Sequence, residues 1–193
     1  GGLPTTHILK PAISDYEGSA HNEMFCLKLA AMAGLPVPDV ALRHCAGTPY
    51  LLIARYDRFW DNGQVRRLHQ EDFCQALSIP PERKYEREGG VSIAQGMELL
   101  ARHSGRAASD RLQFLRMLMF HYLTGNADAH GKNYSLLYHA GRPALAPCYD
   151  ILCTAVYPEV SRKMAMRIGG EYEPEHVFRR HWLRLLPDTA AAR

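Results

Sequence analysis

A chain of 193 residues that is 47% hydrophobic can bury a sizeable core, as one domain or as two small lobes. Its formal net charge of +3, with arginine far commoner than lysine, is too close to balance to argue a nucleic-acid partner by itself. No apolar run approaches the ~20 residues of a membrane span, nothing reads as a signal peptide, and the five cysteines lack a Cys-x-x-Cys pair, as expected of free thiols in a reducing cytoplasm rather than of a secreted disulfide framework.

In chain order, residues 1–4 read as a loop and 5–10 as a strand ended by Pro11. Lys10 closes that strand where kinases keep the lysine that pairs with nucleotide phosphates, although a lone strand lysine is more often solvated. After a polar loop over 14–19, Asn22 is placed to cap a helix over 23–33, with Met24, Leu27, Ala30 and Ala31 as its apolar face and Gly34 ending it. Glu23 either pairs with Lys10 or simply complements the positive end of the helix. Leu35-Pro36-Val37-Pro38 leads rigidly into an extended segment over 40–43, a turn at Gly47 and an apolar strand over 50–56. Asn62-Gly63 signals a hairpin whose second strand covers 65–68.

From about Gln70 the pattern becomes helical. A short helix over 71–77 is broken by Pro80-Pro81, and the charged stretch 84–90 reads as a solvated, flexible loop ending in Gly89-Gly90. A helix over 93–103 ends at Gly105, and Ser109-Asp110 start another on which Leu112, Leu115, Met119, Tyr122 and Leu123 recur at helical spacing. This is the expected central helix of the larger lobe, delivering the chain to Gly125. Residues 134–139 and 144–148 read as strands joined by Ala140-Gly141-Arg142-Pro143. Tyr157-Pro158 then turn the chain, and Pro174-Glu175 open a terminal helix running through Trp182 and Leu186.

The chemistry-bearing stretch is Gly125-Asn126-Ala127-Asp128-Ala129-His130-Gly131-Lys132-Asn133, followed one hairpin later by Tyr149-Asp150. A carboxylate, an amide five positions on and a second carboxylate suit phosphoryl transfer, where the protein positions an acceptor hydroxyl and offsets phosphate charge with Mg²⁺. Asp128 is placed to accept the hydroxyl proton, while Asn133 and Asp150 offer the oxygen ligands that hard Mg²⁺ selects. The Asp-x-x-x-x-Asn spacing matches the protein-kinase catalytic loop, with Asn126-Ala127 standing where His-Arg ordinarily precede the aspartate. An antiparallel hairpin brings its open ends together, with backbones about 5 Å apart, so Asn133 and Asp150 are expected side by side. The competing reading is that Asp128 and Asn133 merely cap turns. The expected class is α+β, a two-lobed protein-kinase-like fold with a small β-rich lobe over 1–68 and a mostly helical lobe over 69–193.

Residues 126–133 and Tyr149-Asp150, together with Thr5-Thr6-His7-Ile8-Leu9-Lys10, Tyr56-Asp57-Arg58 and His69-Gln70-Glu71-Asp72-Phe73-Cys74-Gln75, resemble the HipA family in matching order over essentially the whole chain. That family comprises bacterial serine/threonine kinases that act as toxins of HipA–HipB toxin–antitoxin pairs. The resemblance implies ATP and Mg²⁺ as cofactors, and a hinge at Ala54, Arg55 and Tyr56 whose backbone binds adenine. Ala54 stands where the family carries an acidic residue, a change that a backbone contact survives; for Tyr56 the alternative is plain core packing. It further implies that Lys10, His130, Gly131, Lys132, Asn133, Tyr149 and Asp150 surround the nucleotide, with Lys132 near the γ-phosphate or the acceptor. Surface polar positions are the alternative for His130 and Lys132.

The implied partners are a HipB-like helix-turn-helix antitoxin, through which DNA is reached indirectly, and a protein substrate, aminoacyl-tRNA synthetases being candidates. No Asp-Phe-Gly or Ala-Pro-Glu segment follows Asp150, so control through such an activation segment is not expected. Only Gly1-Gly2 stand ahead of the lysine strand, and the expectation is a fragment or truncated relative without the family's Gly-rich loop or its small N-terminal domain. Two other readings compete: a kinase fold that only binds antitoxin or nucleotide, and a metal-dependent phosphohydrolase built on Asp128, His130 and Asp150.

Overall fold

The apolar run Tyr50-Leu51-Leu52-Ile53 has the β-branched and aliphatic content of a buried strand, and in the computed structural model it is the centre of the first sheet. The model describes residues 4–139 and 141–186; residues 1–3 of the expected entry loop and Ala140 of the expected hairpin turn lie outside them. Strand β3 (Thr48–Ala54) pairs antiparallel with β1 (His7–Pro11) on one side and β2 (Val40–Cys45) on the other. Leu51 and Ile53 bury against Ala20 of helix α1 (Ser19–Met32), which crosses this sheet.

Helix α1 starts earlier than its expected cap. Asn22 lies inside it, and its amide clasps the backbone of Cys153, donating to the carbonyl at 3.0 Å and accepting from the N–H at 2.9 Å. Leu27 and Ala30 are buried as expected, but Ala31 is exposed and Cys26 takes an inner place. The helix is apolar on several sides, with Phe25 64% and Met32 85% exposed, so spacing alone does not identify the inner one.

Asn62 (φ 48°) and Gly63 (φ 76°) turn the chain between β4 (Arg58–Asp61) and β5 (Gln64–Arg67), the left-handed pair a two-residue hairpin requires. The expected helix over 71–77 is corrected. Residues His69–Asp72 form strand β6, which extends the second hairpin into a three-stranded sheet in the order β6-β7-β8, with β7 at Ser135–His139 and β8 at Arg142–Leu145. Asp72 then caps the short helix α2 (Phe73–Ala76) by accepting the Gln75 N–H at 2.8 Å, while the Gln75 side chain accepts the Asp72 N–H at 2.9 Å. Arg142 and Pro143, read as turn residues, belong to edge strand β8, where a proline is tolerated.

Helix α3 (Ile93–His103) opens on the same reciprocal cap, made by Ser92 and Gln95. Helix α4 (Ala107–Leu123) is the expected long helix, but its inner face is not the expected one. Leu112, Met119 and Leu123 are 61%, 45% and 75% exposed, while Phe114, Met117, Leu118, Phe120 and His121 are buried. Buried Asp110 at its start accepts from Ser104 Oγ at 2.6 Å and from the Leu145 N–H at 2.8 Å, tying α4 to β8. Phe73, Phe114 and Tyr134 meet at centroid separations of 4.9 to 5.8 Å and form the aromatic centre of the main core. Cys26, Leu27 and Ala30 of α1 enter that same core. The expected terminal helix reduces to a 3₁₀ turn at Pro174–His176 and helix α5 (Arg179–Leu183). Among the described residues, no helix is long and apolar enough to cross a membrane.

Candidate active site

Strand β1 and helix α1 bring Lys10 to Glu23, with Nζ 2.7 Å from the carboxylate, and the same ammonium bridges across the cleft to Asp150, 140 positions away in the chain. Burial by itself would favour neutral Lys10, but the carboxylates of Asp150 and Glu23 outweigh it and raise its pKa, so it stays an ammonium. Glu23 is almost fully buried, and burial pushes its pKa up against the opposing charge of Lys10. Asp150 sits at the end of the β7–β8 segment with φ 57°, a left-handed conformation that a non-glycine residue holds at a cost. The strain aims its half-exposed carboxylate back at Lys10 and at Asn133, whose Nδ2 donates to Asp150 Oδ2 at 3.2 Å. The hairpin thus places Asn133 and Asp150 side by side.

The 126–133 loop is a compact series of turns. The Asp128 N–H donates to Asn126 Oδ1 at 3.1 Å, and the His130 N–H donates to Asn133 Oδ1 at 3.0 Å. Asp128 keeps its carboxylate half-exposed, with Oδ2 3.9 Å from His130 Nε2. His130 is buried and, by that burial, is held toward its neutral form in spite of Asp128; among the described residues its Nδ1 has no hydrogen-bond partner. Lys132 is half-buried in the turn at Gly131–Asn133, and its carbonyl accepts from the Tyr149 hydroxyl at 2.8 Å. Tyr149 thereby pins the loop to the segment after β8 that carries Asp150.

Gly131 has a packing reason to be glycine. A Cβ there would lie 2.6 Å from Val91 Cγ2 and 2.9 Å from Cys74 Sγ. Gly131→Ala is expected to cost about 1–3 kcal/mol by overpacking, read as a lowered thermal midpoint; an unchanged midpoint would mean that the loop yields freely.

A cleft of about 460 Å³ is lined by Lys10, Glu23, Tyr149 and Asp150 together with Ala54, Arg55 and Tyr56, while His130, Gly131 and Lys132 are not among its lining residues. The Arg55 N–H donates to Thr6 O at 2.9 Å, and its guanidinium forks onto Asp57 at 2.9 and 3.0 Å. Burial alone would raise the Asp57 carboxyl, but hydrogen bonds and charge from Arg55, with further charge from Arg58, hold it below the usual range, so this exit from β3 is a locked ion network. Tyr56 is held above the ordinary phenol range by burial, and its ring lies 6.1 Å from that of Tyr149. Gln70 and Pro38 line the cleft as well; Gln70 belongs to a segment that carries the family resemblance, yet neither was expected at the site.

Sequence reading also missed Tyr85, whose hydroxyl donates to Asp128 Oδ1 at 2.5 Å. The one available signal was an aromatic residue inside a charged loop. Among the described residues, no three His, Cys, Asp or Glu side chains are placed to hold a metal together, and the arrangement does not gather Asp128, His130 and Asp150 around one centre. Asn133 and Asp150 fit Mg²⁺ better, because that ion is commonly held by one or two protein oxygens completed by phosphates.

Compared with known proteins, residues 1–193 match the HipA-like C-terminal domain. The chain belongs to that family. This HipA-like domain is 53% identical over 169 residues to Y4mE of Sinorhizobium fredii, covering 87% of the chain and 40% of that protein. It is 32% identical over 190 residues to the serine/threonine-protein kinase toxin HipA of Shewanella oneidensis, covering 92% of the chain and 43% of the toxin. It therefore spans less than half the length of these relatives. Among solved structures, it superposes on the Shewanella oneidensis complex of HipA, HipB and operator DNA with a TM-score of 0.88 at 31% identity, over 95% of this chain and 45% of that one. The Helicobacter pylori proinflammatory kinase CtkA shares the fold, with a TM-score of 0.61 at 17% identity over 80% of this chain and 52% of that one. The two-lobed kinase-like α+β class is thereby established.

Proposed function

We propose that this HipA-like chain is the core of an ATP-dependent serine/threonine kinase that moves the γ-phosphoryl group to a protein hydroxyl. One observation carries the reading: Lys10 joins Glu23 and Asp150 in a cleft that is also lined by Ala54, Arg55 and Tyr56 where the chain leaves β3. A cation held between two carboxylates is pre-positioned for phosphate oxygens. Adenine would lie against Ala54, Arg55 and Tyr56, with the phosphates toward Lys10, His130, Gly131 and Lys132. Asn133 and Asp150 would hold Mg²⁺, which when bound offsets charge on the triphosphate. Asp128 would accept the acceptor proton on its exposed carboxylate. The division into lobes at 1–68 and 69–193 belongs to this proposal. So do a HipB-like antitoxin partner, suggested by the complex in which the Shewanella protein was solved, an aminoacyl-tRNA synthetase as substrate and a cytoplasmic location.

Lys10→Met tests the reading. It is expected to weaken Mg-ATP binding about 10- to 100-fold, the usual worth of a charged hydrogen bond, measured by calorimetry alongside label transfer to a serine-containing protein. Unchanged ATP affinity would remove Lys10 from the nucleotide site. A binding module without turnover finds some support in the way the chain's own groups occupy one oxygen of Asp128 and both oxygens of Asp150; it predicts nucleotide binding with no label transfer under any condition.

A further inference from the structure

The stretch 84–90 is not a free loop. The Tyr85 carbonyl accepts the N–H groups of Glu88 and Gly90, both at 2.9 Å, and a Cβ at Gly90 would sit 2.5 Å from the Arg83 carbonyl oxygen. The Glu86 carboxylate takes the backbone N–H of Arg167 at 2.8 Å and its Nε at 2.7 Å, and the Glu86 N–H donates to Ala165 O at 3.0 Å. The ring of Tyr85 meets His130 edge-on at 5.6 Å, with Lys84 and Arg87 4.8 and 4.7 Å from its centroid. Its hydroxyl is therefore delivered to Asp128 by a scaffold fixed at both ends.

The two oxygens of Asp128 are not equivalent as a result. Oδ1 accepts a hydrogen bond from the Tyr85 hydroxyl at 2.5 Å and faces Lys84 Nζ at 3.8 Å. Oδ2 accepts no hydrogen bond among the described residues and faces only His130, at 3.9 Å. Burial and the charge of Asp128 keep the phenol protonated well past the neutral range, so it acts as a donor.

Resting on the kinase reading above, we propose that Tyr85 is the positioning residue of Asp128: by occupying Oδ1 it fixes the carboxylate so that Oδ2 alone is presented to the acceptor hydroxyl. The acceptor proton then passes to Oδ2 as the acceptor oxygen bonds to the γ-phosphorus and the bond to ADP breaks.

Tyr85→Phe keeps the ring and deletes the donor. Expected is a fall of about 10- to 100-fold in kcat, the worth of a hydrogen bond to a charged group, with unchanged ATP affinity and thermal midpoint. In an Asp128→Asn background the same change is expected to cost nothing more, since residues acting as one unit are not additive. Unchanged kcat in Tyr85→Phe, a faster enzyme (Tyr85 then blocks acceptors), a further fall in the double variant, or phosphate found on Tyr85 by mass spectrometry would each overturn the proposal. Tyrosine labelled with ¹³C at Cζ reads the contact without turnover: the resonance lost in Tyr85→Phe should move in Asp128→Asn. A fixed resonance overturns the Tyr85–Asp128 contact alone, whereas wild-type protein without any transfer overturns the kinase reading itself.

Discussion

Asp128→Asn is expected to lower phosphoryl transfer by about 10²- to 10⁴-fold, the usual contribution of a general base, while ATP binding and stability stay near those of the unaltered protein. The Asp128 side chain is 47% exposed, and nothing in the core depends on its charge. The asparagine carbonyl can still accept from the Tyr85 hydroxyl, so the loop has no reason to move. What is lost is the basic oxygen facing the acceptor. The check is label transfer to a protein substrate, with calorimetry of Mg-ATP binding and a thermal melt on the same samples. Transfer within threefold of wild type would remove Asp128 as the base.

Acid should unfold this domain earlier than its carboxylates would suggest, because of His121. The residue is buried under the 126–133 loop, where its Nδ1 accepts from the Asn126 amide at 3.0 Å, and burial pushes its pKa down to about 4. The folded state thus refuses a proton that the unfolded chain accepts near pH 6.5. Stability is undiminished above that value and is lost as pH falls from about 6.5 toward 4, by at most about 3 kcal/mol from this residue. His130, whose pKa is also lowered by burial, acts in the same direction. Glu23, whose pKa is raised, opposes both at the acidic end of the range. Urea unfolding between pH 7 and 4.5 measures the slope, and His121→Gln, which cannot titrate, should flatten it. Equal slopes in the two proteins would show that His121 is protonated as readily in the folded state as in the unfolded one.

The site was legible where chemistry and spacing coincided. Asp128, Asn133 and Asp150 stand out because a carboxylate, an amide and a second carboxylate recur with a hairpin between them, and an antiparallel pair has only one way to bring its ends together. The union of Lys10 with Glu23 was one of two open readings, and only packing of α1 over the first sheet could choose between them. Tyr85 was hidden because its function depends on Glu86 reaching Arg167, 81 positions away, a contact that no local pattern announces. Strand β6 was hidden for a related reason: His69-Gln70-Glu71-Asp72 is polar, and what makes it extended is the neighbouring β7, not its own propensity. In α4, apolar residues on both sides left the inward face undetermined until Phe73 and Tyr134 were in place to select Phe114.

The helix that carries Glu23 is moored. Asn22 grips Cys153 through both amide atoms and also donates to the Tyr157 hydroxyl at 3.2 Å, while Cys26, Leu27 and Ala30 sink into the core shared with α4. Swinging such a helix outward would open the interior of the larger body, because three of its side chains are part of that core. Ala20 of the same helix packs on Leu51 and Ile53 of the first sheet, so the helix ties that sheet to the larger core and holds Glu23 in register with Lys10.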